Sequence, residues 1–111
     1  MPRESVGEIE HFVLLALLRL GGEGYGVPIL EEIASRTGRD VARSAVYIAL
    51  RRLEAKGLVV SRMGEPTSLR GGRPKRFFGL TKAGARQLLA TRAAFDRMWA
   101  DVRSLAERTA R

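Results

Sequence analysis

An eleven-residue segment rich in glycine and proline, residues 64–74, most constrains how this chain can fold. Its sequence, GEPTSLRGGRP, lies between two short apolar runs, residues 58–63 and 76–80. The first run is rich in Val and follows Gly57, a residue type that commonly ends a helix. Two such runs around a segment of this composition are typical of a β-hairpin with a long tip.

Three segments before the hairpin have the apolar spacing of amphipathic helices. They cover residues 8–20, 25–37 and 44–56, and Ser44 is predicted to cap the third. The first segment carries apolar residues outside its main stripe as well as on it, so we expect this helix to be covered on two sides.

The third segment has two distinct faces when its residues are placed on a helix. Val46, Ala49, Leu50 and Leu53 fall on one side. The opposite side carries Ser44, Ile48, Arg51, Arg52 and Ala55, with Tyr47 at the border. The first face is therefore predicted to be buried and the second to be exposed.

A last helix is predicted from Thr81, as its cap, almost to the end of the chain. Residues 82–109 would extend for about 40 Å at the helical rise per residue. Leu88, Phe95 and Val102 recur at steps of seven, with Met98 between the last two and Leu105 after them, which resembles a coiled-coil seam. A three-helix unit cannot bury such a seam alone, so we expect the seam to pack against a second copy of the chain.

The order of these elements predicts a mainly α fold with a small β-hairpin, a winged helix-turn-helix plus a long C-terminal dimerisation helix. Residues 1–80 would form the DNA-binding domain, and residues 81–111 the dimerisation helix packed on the same domain. In such a fold the helix at 44–56 enters the major groove of DNA.

The charge distribution favours the same function. The net charge is +8, and residues 62–86 carry seven basic side chains against one acid, Glu65. A basic wing beside a helix that exposes Arg51 and Arg52 offers one continuous surface to phosphates. The alternative is a winged helix that binds an acidic protein, and salt-dependent binding to duplex DNA would distinguish the two.

The residue inventory excludes several other classes. The chain has no Cys, and its one His, His11, lies in an apolar run as a tolerated helix residue, so neither a metal site nor an enzymatic centre is expected. No cofactor is expected either. The apolar stretch at residues 12–18 is too short to span a membrane, and the mixed charges before it do not resemble a signal peptide. These features predict a cytoplasmic protein.

Four motifs resemble the PadR family of transcriptional regulators. They are the segment 44–59 (SAVYIALRRLEAKGLV), Tyr25-Gly26, the wing segment 72–78 (GRPKRFF), and Leu80-Thr81 followed by Gly84. The resemblance covers roughly residues 8–90 and is closest to compact members with a single C-terminal helix. It implies a homodimer held by the last helix against the first.

The resemblance also implies that Tyr47 lies near the DNA backbone and that the wing residues 73–76 lie on phosphates. Ser44 and Ala45 stand where the family usually has Gly and then Ser or Thr, and Ile48 replaces its usual Pro. The absent hydroxyl at Ala45 removes one phosphate contact that the family pattern implies. These departures affect base preference rather than the fold.

The full set of predicted DNA-binding residues is Ser44, Tyr47, Ile48, Arg51, Arg52, Arg70, Arg73, Lys75 and Arg76. Each of Arg51 and Arg52 either makes a bidentate contact to guanine or touches only phosphate or solvent. Ile48 either meets a thymine methyl group or is a surface aliphatic. The function predicted is a sequence-specific regulator, a repressor, that binds a near-palindromic operator as a homodimer.

Trp99 is the only tryptophan in the chain. It either packs in the helix seam or, with Phe95 and Met98, walls a pocket for a small planar hydrophobic effector between two copies of the chain. The resemblance supports the second interpretation, since some compact members of the family sense drugs in this way.

Overall fold

Three helices, α1 (Glu8–Arg19), α2 (Gly26–Thr37) and α3 (Arg43–Ala55), open the fold in the computed structural model, which describes residues 6–65 and 74–109. A two-residue strand, β1 (Glu23–Gly24), lies between α1 and α2. Strands β2 (Val59–Met63) and β3 (Arg76–Leu80) follow α3, and helices α4 (Lys82–Trp99) and α5 (Val102–Thr109) complete the fold. The predicted fold class is confirmed: the chain is a winged helix-turn-helix followed by a C-terminal helical segment.

The sheet has three antiparallel strands in the order β1-β3-β2. In the predicted hairpin, Val59 pairs with Leu80 and Met63 pairs with Arg76. The sequence prediction missed β1, in which Glu23 pairs with Gly79 and Gly24 with Phe78. Two residues are too few to show strand alternation, so only the structure reveals this third strand.

The hydrophobic core joins the three helices to the sheet. Val13, Leu14, Leu17, Ile29, Val46, Leu50 and Leu53 are fully buried. Leu14, which lies off the main apolar stripe of α1, is therefore covered within the protomer. Leu15 and Leu18 are not, since both are among the exposed large apolar side chains.

An ion pair ties helix α3 to α1. The Nζ atom of Lys56, the C-terminal cap of α3, lies 2.7 Å from the Glu10 carboxylate. Both side chains are largely buried, with exposed fractions of 19% and 11%. A charge pair removed from water depends strongly on its geometry, so this contact helps to fix the position of α3 on the core.

The predicted cap of α3 is wrong by two residues. The helix begins at Arg43 and its N-terminal cap is Ala42, whose side chain makes no cap hydrogen bond. Ser44 lies within the first turn of the helix and is exposed. Serine favours helix caps because its hydroxyl can accept from a backbone N–H group, but the extended backbone at Ala42 starts the helix earlier.

The predicted uninterrupted helix over residues 82–109 is also wrong. Thr81 caps α4 as expected, accepting a hydrogen bond from the Gly84 N–H group at 3.0 Å. The helix ends at Trp99, and Asp101 adopts a left-handed backbone with φ of 62° before α5 begins. Asp tolerates this conformation better than most residues. The apolar spacing continues unchanged across residue 101, so periodicity alone cannot reveal the break.

The Gly84→Ala substitution is expected to destabilise the fold by about 2 kcal/mol, as overpacking of a close contact does. A Cβ atom at this position would overlap the Leu58 carbonyl oxygen and lie 2.7 Å from the Leu80 Cδ1 atom. Urea unfolding measures the change. Gly79→Ala is the matched control, because a Cβ atom there meets its nearest neighbours at 3.8 Å. Equal stability of the two variants would contradict this account of the α4 start.

Candidate nucleic-acid interface

The two faces of α3 are separated as the sequence predicts. Val46, Ala49, Leu50 and Leu53 are buried, whereas Ser44, Ile48, Arg51 and Arg52 are exposed. Ile48 has an exposed fraction of 52%, which is high for an aliphatic side chain in the middle of a helix. The exposed face is therefore free to meet another molecule, and its DNA contacts stay a prediction.

Tyr47 lies at the edge of this face and packs on the first residue of α2. A Cβ atom on Gly26 would lie 2.6 Å from the Tyr47 hydroxyl oxygen, so the two helices meet here without room for a larger residue. The Tyr47 side chain keeps an exposed fraction of 41%. Packing thus explains the glycine of the Tyr25-Gly26 motif, because a side chain at position 26 would overlap the Tyr47 ring.

A cleft of about 270 Å³ separates α3 from the wing strand β3. A short hydrogen-bond chain crosses from one side to the other. The Arg76 guanidinium donates to the Ser61 hydroxyl at 3.1 Å, and that hydroxyl donates to the Glu54 carboxylate at 2.5 Å. These two hydrogen bonds connect Arg76, a predicted phosphate ligand, to helix α3. The cleft is lined by Tyr47, Arg51, Glu54, Arg76 and Phe78.

The other described residue of the predicted wing set, Lys75, is held at the base of the wing. Its ammonium group lies 4.3 Å from the centre of the Tyr25 ring and 3.2 Å from the Tyr25 hydroxyl oxygen. Arg70 and Arg73, the two remaining predicted wing ligands, lie outside the described residues.

Ion pairing divides the arginines into two groups. Arg19 and Arg36 both contact Glu32, while Arg39 pairs with Glu8 and Arg62 with Glu23. Hydrogen bonds from these arginines lower the pKa values of the Glu8, Glu23 and Glu32 carboxyl groups. In residues 6–65 and 74–109, no acidic side chain pairs with Arg51, Arg52, Lys75 or Arg76. The cations left for an external anion therefore include those on α3 and the wing.

A second surface is apolar and lies on the C-terminal helices. Phe95, Met98 and Trp99, the three residues predicted for an effector pocket, line one concave site of about 390 Å³ together with Ala94 and Val102. The structure thus brings the three together. Trp99 has an exposed fraction of 63%, so within the protomer the indole is not packed in a core.

An adjoining cavity of about 300 Å³ lies between α1 and α4 and is also lined by Phe95. Its walls include Leu15 and Leu18 from α1 and Leu89 from α4, all of which are exposed. Because Phe95 borders both cavities, the apolar surface is continuous from α1 to the start of α5.

The model of the transcriptional regulator PadR-like family matches residues 14–90 of this chain. The match covers the second half of α1, all of α2 and α3, the strands and the first half of α4. The chain belongs to the PadR-like family of transcriptional regulators.

Solved structures agree with this assignment. A PadR family transcriptional regulator from Eggerthella lenta is 27% identical, with a TM-score of 0.68 over 86% of this chain and 80% of that chain. A winged-helix DNA-binding protein from STIV is 17% identical, with a TM-score of 0.62 over 79% and 87% of the two chains.

BpsR from Bordetella bronchiseptica, whose DNA binding is regulated by 6-hydroxynicotinic acid, is 20% identical, with a TM-score of 0.65 over 91% of this chain and 67% of that chain. No curated protein sequence matches the chain significantly. In the described part of this PadR-like protein, no helix is both long and apolar enough to cross a bilayer.

The sequence of this PadR-like regulator gave no signal for three of the contacts around its interface. Glu54 and Ser61 hold Arg76, Tyr25 holds Lys75, and Glu23 engages Arg62. Each contact joins residues from different elements. A pattern in a single segment cannot show them, although the Tyr25-Gly26 motif contains the residue that holds Lys75.

His11 lines the cavity between α1 and α4 and carries a buried Nδ1 atom with no hydrogen-bond partner among the described residues. Burial lowers the pKa of its imidazole below the usual 6.5. The unfolded chain therefore binds a proton more readily than the folded chain just below pH 6.5, and folding stability should fall as the pH decreases through this window.

We expect the His11→Leu variant to lose part of this pH dependence. The measurement is the urea midpoint of both proteins between pH 5 and pH 7.5. Carboxylates titrate in both proteins, so the difference between the two curves isolates the imidazole. Parallel curves would show that His11 is solvated in solution.

Proposed function

We propose that this PadR-like regulator binds its operator through the exposed face of α3 and the wing, and that it acts as a repressor. The observation that carries the proposal is the pair Arg51 and Arg52. Both are exposed on α3, and neither is paired with an acid in the described part of the chain. Arginine recognises guanine through two parallel hydrogen bonds, so each can read a base in the major groove.

Lys75 and Arg76 support this proposal at the other end of the interface. Lys75 is attached to Tyr25 and Arg76 to Ser61, and neither cation forms a direct ion pair with an acid in the described part of the chain. We assign them, with Arg70 and Arg73, to phosphate contacts, which position a protein on DNA without reading sequence. Ser44 and Tyr47 border the same face and are proposed to approach the backbone, with Ile48 facing a thymine methyl group.

The proposed operator is near-palindromic because the proposed active form is a homodimer. The continuous apolar surface formed by Leu15, Leu18, Leu89, Phe95 and Met98 supports dimerisation, since monomeric proteins rarely expose patches of this kind. Residues 81–111 would thus serve as the dimerisation segment. A two-fold axis presents two copies of α3 to half-sites about one helical turn apart. Repression follows if the bound dimer occupies promoter DNA that polymerase needs.

An effector site is proposed at Phe95, Met98 and Trp99. The supporting observation is an exposed indole that borders a concave site lined only by apolar residues. Two such indoles across a dimer axis would suit a small planar hydrophobic molecule. BpsR, a protein of similar fold, offers a precedent for regulation by a small aromatic compound. Binding here would shift the spacing of the two α3 helices and thereby the affinity for DNA.

Selection of bound sequences from genomic fragments, followed by titration of the selected duplex at several salt concentrations, tests the proposed function. The expected result is an affinity whose logarithm falls linearly with the logarithm of salt concentration, with a steep slope. A protein that binds no duplex at low salt but binds an acidic protein would support the alternative of a winged-helix interaction module.

For the effector, quenching of Trp99 fluorescence by planar dyes is the matching test. Trp99→Ala should abolish dye binding while the dimer persists. Unchanged dye affinity in that variant would show that Trp99 serves only in packing.

A further inference from the structure

A ladder of five side chains crosses the base of the wing. The Arg62 guanidinium makes two hydrogen bonds to the Glu23 carboxylate, at 2.7 and 3.0 Å. The same guanidinium lies 4.7 Å from the centre of the Phe77 ring. Phe77 packs edge-on against Tyr25 with ring centres 5.4 Å apart, and Tyr25 in turn carries the Lys75 ammonium group.

The ladder connects elements that are distant in sequence. Arg62 lies on β2 and pairs across the sheet with Phe77 on β3. Glu23 belongs to β1, and Tyr25 is the N-terminal cap of α2. The base of the wing is therefore attached to the start of the helix-turn-helix, and Lys75 stands at the end of the attachment.

The backbone at Gly64 also lies close to this ladder. A Cβ atom on Gly64 would lie 2.6 Å from the Phe77 Cε2 atom. The Gly64 N–H group donates to the Lys75 carbonyl oxygen at 2.6 Å. Both strands of the wing thus leave the sheet in contact with the Phe77 ring, and a shift of that ring would move both.

Arg62 differs from the other cations of the wing because its charge is already engaged. The hydrogen bond to Glu23 raises the pKa of Arg62 and lowers that of Glu23, so the pair stays ionised. An exposed ion pair alone contributes little, but a bidentate pair within a network is the exception. A planar guanidinium can hold a carboxylate and stack on an aromatic ring at once. The basic charge counted over residues 62–86 includes Arg62, although the predicted DNA-binding set does not, and the surroundings of Arg62 suggest a role other than phosphate binding.

We propose that Arg62 is a positioning residue for the wing. Clamped by Glu23, it fixes Phe77, and through Tyr25 it holds Lys75 toward DNA. The proposal rests on the proposed DNA-binding function of Lys75, and it makes Glu23, an acid, necessary for tight binding to a polyanion.

Glu23→Gln gives a test in which the two roles of Arg62 predict opposite signs. If Arg62 were a phosphate ligand restrained by Glu23, removing the carboxylate would free a cation and tighten DNA binding. If Arg62 positions the wing, the variant binds duplex DNA about threefold to tenfold more weakly, the share of one phosphate contact. Glu31→Gln is the matched control, because Glu31 is exposed on α2 and forms no ion pair among the described residues. Its affinity should stay unchanged or rise slightly. Tighter binding by Glu23→Gln than by this control would overturn the proposal.

Two further measurements connect Arg62 to Lys75. Arg62→Gln should weaken DNA binding in the wild-type background and have no further effect in Lys75→Ala, whereas additive effects would overturn the proposal. Without DNA, the Tyr25 ring should shift the NMR signals of the Lys75 side-chain methylene protons, and Arg62→Gln should remove that shift. An unchanged shift would overturn the clamp. If the shift is lost in a protein that binds no DNA, the clamp stands and the proposed function fails.

Discussion

Replacing Arg51 and Arg52 together with alanine is expected to lower affinity for the selected operator by about thirtyfold to twenty-thousandfold. Each good bidentate contact to a base discriminates by about 1–3 kcal/mol, and the double variant removes two. The fold should be unaffected because both side chains are exposed and lie opposite the buried face of α3. Quantitative titration with operator and with unrelated duplex measures the loss.

The single variants separate the two roles left open for each arginine. Loss of a base contact relaxes the preference at one operator position, whereas loss of a phosphate contact weakens binding to all sequences and lowers the salt slope by about one. The matched control replaces Arg103 and Arg108 of α5, which removes the same charge from exposed positions. If the control loses as much affinity as the α3 variant, net charge rather than the α3 face determines binding.

Placing glutamate at both Phe95 and Met98 is expected to give a folded monomer whose affinity for the operator falls by about a hundredfold to ten-thousandfold. Both side chains are exposed in the protomer, so the substitutions leave its core intact. In a dimer they would place four carboxylates in an apolar seam, where an unpaired charge is costly. In a dimer, binding of one subunit to its half-site holds the second subunit beside the other half-site. A monomer loses this advantage, so its affinity for the whole operator falls.

Sedimentation at micromolar concentration measures the oligomeric state of this variant, and titration with operator measures its affinity. Ala34→Glu with Ser35→Glu is the matched control. Both residues are exposed on α2 and line neither of the two cavities that Phe95 borders, so the same charge is added away from the proposed interface. A glutamate variant that remains dimeric, or a wild-type protein that is monomeric, would contradict the proposed interface.

The recognition helix was the most predictable part of the interface. Its faces follow from helical periodicity alone, since Val46, Leu50 and Leu53 recur at the spacing of one buried side. The strands of the wing were equally predictable from the sequence. Gly and Pro residues mark the connection between them, and the strands themselves contain Val and Phe. The spacing of the four motifs also identified the family correctly.

The remaining features depend on contacts that no local pattern contains. The break at Asp101 keeps the same apolar spacing on both sides, so a continuous helix was the natural prediction. The pairing of Arg62 with Glu23 joins residues 39 positions apart. Counting Arg62 as a wing cation was reasonable from composition, but only tertiary structure shows that its charge is engaged.

Hydroxyl-radical footprinting of the protein on its selected operator tests the central claim most directly. The account predicts two symmetric sets of protected positions centred about 10 base pairs apart, one for each copy of α3. Both sets should disappear in the Arg51→Ala, Arg52→Ala variant and persist in the Arg103→Ala, Arg108→Ala control. A single protected site, or protection that the α3 variant retains, would contradict a dimer that reads its operator through α3.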